Sequence, residues 1–154
     1  MRGNAIRGWG LLAAALFLVF FVFLFFRFND SLLVSEPSGL DVVSLPYVQF
    51  DVIDVSYTGA TYSVSNNGKG SISFGLDFGI EVLRNKKWIE VPHSDVLTSS
   101  IQIELLPEQS ESFTCSWENS YGSLSSGQYR LVKYIDAYED GSPHSYWVAC
   151  EFIL

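Results

Sequence analysis

Eighteen consecutive residues, Trp9 to Phe26, carry no charged or strongly polar side chain. As a helix they rise about 27 Å, close to the roughly 30 Å of a bilayer's hydrocarbon core. The run is therefore expected to be a single transmembrane helix, 9–27, with Trp9 and Arg27 as interfacial anchors at its two ends. A cleaved secretory signal is the rival reading, because Met1 to Gly8 is basic. Against it, the apolar run exceeds the usual span of about 7 to 15 residues, and no small-x-small cleavage site follows directly, since the next residues are Arg27, Phe28, Asn29 and Asp30. Arg2, Arg7 and the terminal amine precede the run and Arg27 alone follows it, so residues 1–8 are expected in the cytoplasm and the C-terminal part outside the membrane.

Beyond the run, residues 28–40 mix Ser, Pro, Gly and Asp and read as a juxtamembrane stalk, which leaves 41–154 as one domain. This part is rich in aromatic and β-branched residues, which favours pleated, half-buried surfaces. Of nine basic residues three flank the apolar run, leaving Lys69, Arg84, Lys86, Lys87, Arg130 and Lys133 against all seventeen acidic residues. An acidic surface with scattered cations repels phosphate backbones, so nucleic acid is excluded as a partner.

Short strands are expected at Tyr47 to Tyr57, Thr61 to Ser65 and Ile72 to Phe74, with Gly59–Ala60 and Asn66–Gly70 as turns. Phe78, Ile80 and Val82 lead to a polar hairpin tip, Arg84 to Lys87, and return through Trp88 to Val91. The clearest alternation places Phe113, Cys115 and Trp117 on one face of a strand that follows the turn Pro107 to Gln109. Two further strands, Gln128 to Ala137 and Tyr146 to Leu154, are joined by a turn over Glu139 to Pro143. No convincing helical pattern follows Phe26. The expectation is an all-β, two-sheet antiparallel sandwich, with a small closed barrel as the alternative.

Five segments carry a family likeness: Tyr62–Asn66, Phe78–Leu83, Trp88–Val91, Gly127–Lys133 and Val148–Phe152. Through them the chain from about Asp41 to Leu154 resembles the bacterial immunoglobulin-like domains of surface and secreted proteins. The resemblance implies an immunoglobulin-like β-sandwich and a tyrosine-corner role for Tyr129 in Gly127-Gln128-Tyr129, its hydroxyl bonding back to the main chain. Leu131 stands where a core cysteine of antibody-type domains would follow that tyrosine. The likeness therefore implies a fold without the usual inter-sheet disulfide, and no activity.

Cys115 and Cys150 fall on apolar faces of expected strands. They pair in an oxidising exterior if the sheets bring them within bridging range, and otherwise stand as separate buried thiols. Trp117 belongs to the core face, whereas Trp147 lies opposite Val148, Cys150 and Phe152 by parity and is the candidate exposed aromatic contact. Arg130 and Lys133 are expected in structural ion pairs with Asp136 or a neighbouring carboxylate. His93-Ser94-Asp95 holds triad side chains, but adjacent residues do not converge as such catalysis requires. The near pairs Asp51 and Asp54, Glu108 and Glu111, and Glu139 and Asp140 read as ordinary solubilising turns ahead of the alternative, a loop calcium site, and Asp140-Gly141 lacks the regular ligand spacing of a calcium loop.

No catalytic residue, cofactor or metal is expected, and the chain is not expected to be an enzyme. The expected function is a membrane-tethered extracytoplasmic module for binding or adhesion, its partner a protein or glycan. The alternative is a structural or regulatory accessory subunit of a membrane or cell-envelope complex.

Overall fold

The computed structural model describes residues 36–94 and 101–154. The expected helix 9–27, most of the stalk and Asp95 lie outside the described residues. Among the described residues no helix is long and apolar enough to cross a membrane. Pro37–Leu154 form one compact unit.

The residues 48–66 alternate in exposure at period two, and the chain runs β1 (Val48–Ser56) and β2 (Gly59–Asn66) as an antiparallel pair. The turn between them is Tyr57–Thr58, and Gly59–Ala60 open β2 instead of separating the strands. An extra residue at Ile53 shifts the register between Val52 and Asp54, a bulge that disrupts the outer edge of β1. β7 (Ser110–Ser116) adds to the other side of β2, giving a small sheet in the order β1–β2–β7.

The larger sheet is organised by β8 (Gln128–Glu139), which pairs along its full length with β9 (Ser142–Ile153). The other edge of β8 is shared: residues 129–132 pair with β4 (Gly79–Arg84) and residues 135–137 with β3 (Ile72–Gly75). Phe74 faces Ile135 and Gly79 faces Val132, so the chain advances five residues against three on β8. The two surplus residues bow out around Asp77. β5 (Lys87–Glu90) extends the sheet beyond β4, and β6 (Gln102–Leu105) extends it beyond β3.

Two hairpins have two-residue turns with positive φ at both positions: Asn85–Lys86 (51° and 64°) and Asp140–Gly141 (51° and 81°). That geometry matches the right-handed twist of the flanking strands. The second turn is tighter than the expected Glu139 to Pro143, because Glu139 and Ser142 already pair. A single helical turn, α1 (Glu118–Tyr121), follows β7 where no helix is expected; Gly122, at φ 71°, ends it.

The core lies between the sheets. β2 contributes Ala60, Tyr62 and Val64, β8 contributes Tyr129, Leu131 and Ile135, and β9 contributes Val148, Cys150 and Phe152. Trp117 is fully buried, stacks on Phe152 at 5.8 Å and donates its indole N–H to the Tyr57 carbonyl at 2.9 Å. Phe152 also stacks on Tyr129 at 5.6 Å. Tyr129 Oη donates to the Ser125 carbonyl four residues upstream at 2.8 Å, and Gly127 and Leu154 exchange backbone hydrogen bonds that hold the C-terminus.

The segment before β1 is tied to the large sheet at two places. Ser38 N donates to Trp88 O on β5, while Val43 N donates to Trp147 O on β9, beside an isolated parallel bridge from Val42. β4 and β8 lie between β5 and β9 in the sheet. Residues 38–43 therefore form a strap that passes β4 and β8.

Candidate functional site

Three regions carry the polar and aromatic chemistry of the domain: a cluster inside the core, an ion pair on the outer side of the large sheet, and an aromatic row on the β8–β9 hairpin.

Inside the core, Lys133 sits at an inward position of β8 between Leu131 and Ile135 and is 1% exposed. Its Nζ donates to the Asp77 carbonyl at 2.9 Å, the main-chain oxygen that the strand bulge turns toward it, and lies 5.3 Å from the Tyr62 ring and 5.4 Å from the Phe74 ring. Burial lowers the lysine to about 8, opposed by the nearby Asp77 charge. The expected pairing of Lys133 with a side-chain carboxylate is thus replaced by a carbonyl and two ring faces, because β8 parity aims the side chain into the sandwich.

Cys115 and Cys150 are free thiols, the second of the two alternatives, with Cys150 buried and Cys115 half-buried. They stand on β7 and β9, in different sheets. Burial pushes both thiols up from their ordinary value. Both therefore stay protonated at neutral pH and are poor nucleophiles.

Arg130 meets Glu81, a carboxylate on the neighbouring strand β4 and so the second of the expected partners, while Asp136 accepts from Ser145 Oγ at 2.6 Å. Glu81 and Arg130 face each other across β4 and β8, and the guanidinium also covers the Trp88 ring at 4.6 Å. Glu81 has the outward parity of its strand yet is 1% exposed, and its second oxygen, Oε1, has no protein partner. The strap passes this part of the sheet. An ion pair so deeply desolvated is costly to break from either side.

On the β8–β9 hairpin Tyr134 faces Trp147, and their rings meet edge to face at 5.1 Å. Tyr134 and Tyr138 are 46% and 40% exposed, whereas Trp147 is half-buried, its main chain bound to the strap. Sequence parity places Trp147 on this side but does not reveal Tyr134 and Tyr138 beside it; the period-two spacing of 134, 136 and 138 on one face was the available signal.

His93 Nε2 lies 3.3 Å from Glu90 Oε1 and its ring packs on Tyr121 at 5.0 Å, while Ser94 Oγ is directed at main-chain carbonyls of the α1 turn. His93 and Ser94 do not face each other as base and nucleophile. Among the described residues no group of three or more His, Cys, Asp or Glu side chains could hold a metal ion.

A tyrosine hydroxyl returned to the main chain at the entry of the penultimate strand, in a two-sheet antiparallel sandwich, is the arrangement of an immunoglobulin-like domain. The family model for the bacterial Ig-like domain matches residues 45–149. The chain belongs to the bacterial Ig-like domain family. No curated protein matches it. Within this bacterial Ig-like domain, the match covers β1 through most of β9, and so includes the core cluster, the ion pair and the aromatic row. Membership suits an extracellular module of the binding or adhesion type; the fold itself specifies no ligand.

Proposed function

We propose that the chain is a membrane-tethered, non-enzymatic, extracytoplasmic binding module that presents the outer face of its β8–β9 hairpin to a partner. The observation that carries this reading is the aromatic row Tyr134, Trp147 and Tyr138, two of whose members hold large apolar rings in solvent while the core has its own complement of aromatics. Tyrosine and tryptophan combine apolar area with a polar tip and few rotatable bonds, which suits recognition. The apolar run Trp9 to Phe26 and the arginines around it support the tether and its orientation.

Two measurements test the reading. Membrane-impermeant amine labelling of intact cells is expected to reach Lys69, Lys86 and Lys87; protection of all three refutes the topology. Isolated cell envelopes are expected to retain the detergent-solubilised full-length chain, and the double substitution Tyr134→Ser, Trp147→Ser to remove most of that retention. Retention unchanged by the double substitution refutes this face as the binding surface.

A further inference from the structure

One end of the domain carries a groove of about 450 Å³ between the turn that follows β2 and the tip of the β8–β9 hairpin. Tyr47 and Tyr138 line it together with Lys69, Asp140 and the glycines 68, 70 and 141. Its volume is in the range of small-molecule sites.

The groove is held in shape by its own hydrogen bonds. Asn66 is fully buried: Nδ2 donates to Gly70 O at 2.9 Å and to Leu105 O at 3.0 Å, and Oδ1 accepts from Gly68 N at 3.0 Å. Tyr138 N donates to Ser71 O at 3.0 Å. Gly70 packs so closely under the Tyr138 carbonyl that a Cβ would lie 1.8 Å from that oxygen. A ligand entering here meets a formed site and does not have to order a loop.

Tyr138 belongs both to this groove and to the outward face of β8, where Tyr134 follows about 13 Å away along the strand with Trp147 beside it. Tyr138 is the residue that groove and row share. Tyrosine and tryptophan rings offer flat apolar faces and hydrogen-bonding tips, and Lys69 and Asp140 add a donor and an acceptor of opposite sign. That combination suits a ligand with apolar ring faces and many hydroxyls. Phosphate-rich chains are disfavoured by the acidic domain, and a purely apolar ligand would strip water from Lys69 and Asp140 without replacing it.

We propose that groove and row form one track for a saccharide chain, with a terminal ring between Tyr47 and Tyr138 and further rings over Tyr134 and Trp147. This deepens the function proposed above and rests on its assignment of the binding face.

The test titrates the full-length chain in detergent with β-1,4-linked glucose and N-acetylglucosamine oligomers of one to six units, read by tryptophan fluorescence and by saturation transfer to the sugar protons. For at least one series, affinity is expected to rise about tenfold from monomer to tetramer. Tyr138→Ala is expected to weaken every length about tenfold, and Tyr134→Ala only the longer ones, with far-ultraviolet dichroism unchanged in both. Failure of both series to bind, or an affinity indifferent to Tyr138→Ala, overturns the saccharide track. If both series fail while Tyr134→Ser, Trp147→Ser still abolishes envelope retention, the face stands and its ligand is not a saccharide of this class; if retention also survives, the face itself is wrong.

Discussion

Replacing Lys133 with methionine should stabilise the domain at neutral pH. Lys133 is 1% exposed and burial moves it from 10.5 to about 8. That shift sets desolvation against the nearby Asp77 charge. Two and a half units at 1.36 kcal/mol each mean that holding the ammonium in the core costs about 3 kcal/mol wherever both folded and unfolded states are protonated, that is, below pH 8. The sign follows from the direction of the shift. A cation depressed in the folded state opposes folding at low pH, and the cost is relieved as pH rises from about 8 to 10.5, because the folded domain gives up its proton first. The two thiols act oppositely: both are pushed up from 9.0, so above pH 9 the unfolded chain loses protons that the folded one keeps. The lysine alone should therefore add about 1 kcal/mol to the parent between pH 8 and 9, of which the two thiols, half-ionised in the unfolded chain at pH 9, take back about 0.7 kcal/mol, and beyond pH 9 the parent should lose stability. Methionine is unbranched and adapts to the lysine's channel. Urea titrations of residues 37–154, followed by tryptophan fluorescence at pH 7, 8, 9 and 10, measure both effects. Lys133→Met should be about 3 kcal/mol more stable than the parent at pH 7, and this margin should shrink by about 1 kcal/mol between pH 8 and 9, the thiols contributing equally to both chains. A variant less stable than the parent at pH 7, or a margin between the two that does not change between pH 8 and 9, refutes the account of the buried ammonium.

Tyr129→Phe removes the hydroxyl that bonds to Ser125 O and keeps the ring on Phe152, so a loss of about 1 kcal/mol is expected in the same urea assay. Trp117→Ala should cost about 3–5 kcal/mol, since a fully buried indole leaves a cavity and an unfilled Tyr57 carbonyl; calorimetry of the variant checks it. Gly141→Ala, at φ 81° and with open space around its Cβ, should cost about 1 kcal/mol, whereas Gly70→Ala drives a methyl into the Tyr138 carbonyl and should cost clearly more; paired thermal melts compare them. Alkylation of Cys115 and Cys150 should be slow in the native chain and fast in urea, read by mass spectrometry, because both thiols are protonated and shielded.

The elements most legible in the sequence are those whose local chemistry agrees with their tertiary setting. Phe113, Cys115 and Trp117 alternate because one face of β7 and the residue after it meet the core, and Asp140-Gly141 names a two-residue turn through its tolerance of positive φ. β6 is less visible because four residues with two apolar members give no decisive period; it forms because β3 offers an edge. The α1 turn is too short to print a 3.6-residue pattern. Lys133 and Glu81 are misplaced by any rule that puts charges at the surface. Lys133 follows strand parity inward, and Glu81 follows it outward into a region the strap crosses, which depends on contacts 49 or more residues away in sequence. The aromatic row and the groove are assembled by pairing of β8 with β9 and of Ser71 with Tyr138, so their members can be picked out singly but not as a surface.

The strap also decides how the domain takes a mechanical load. A pull arriving through the chain before Pro37 enters at Ser38, where its hydrogen bond to Trp88 holds the edge of β5, and reaches Val43 on β9 only after that first attachment gives way. The two fastenings are loaded in sequence instead of together, so a modest tug should first pay out the residues between Ser38 and Val43.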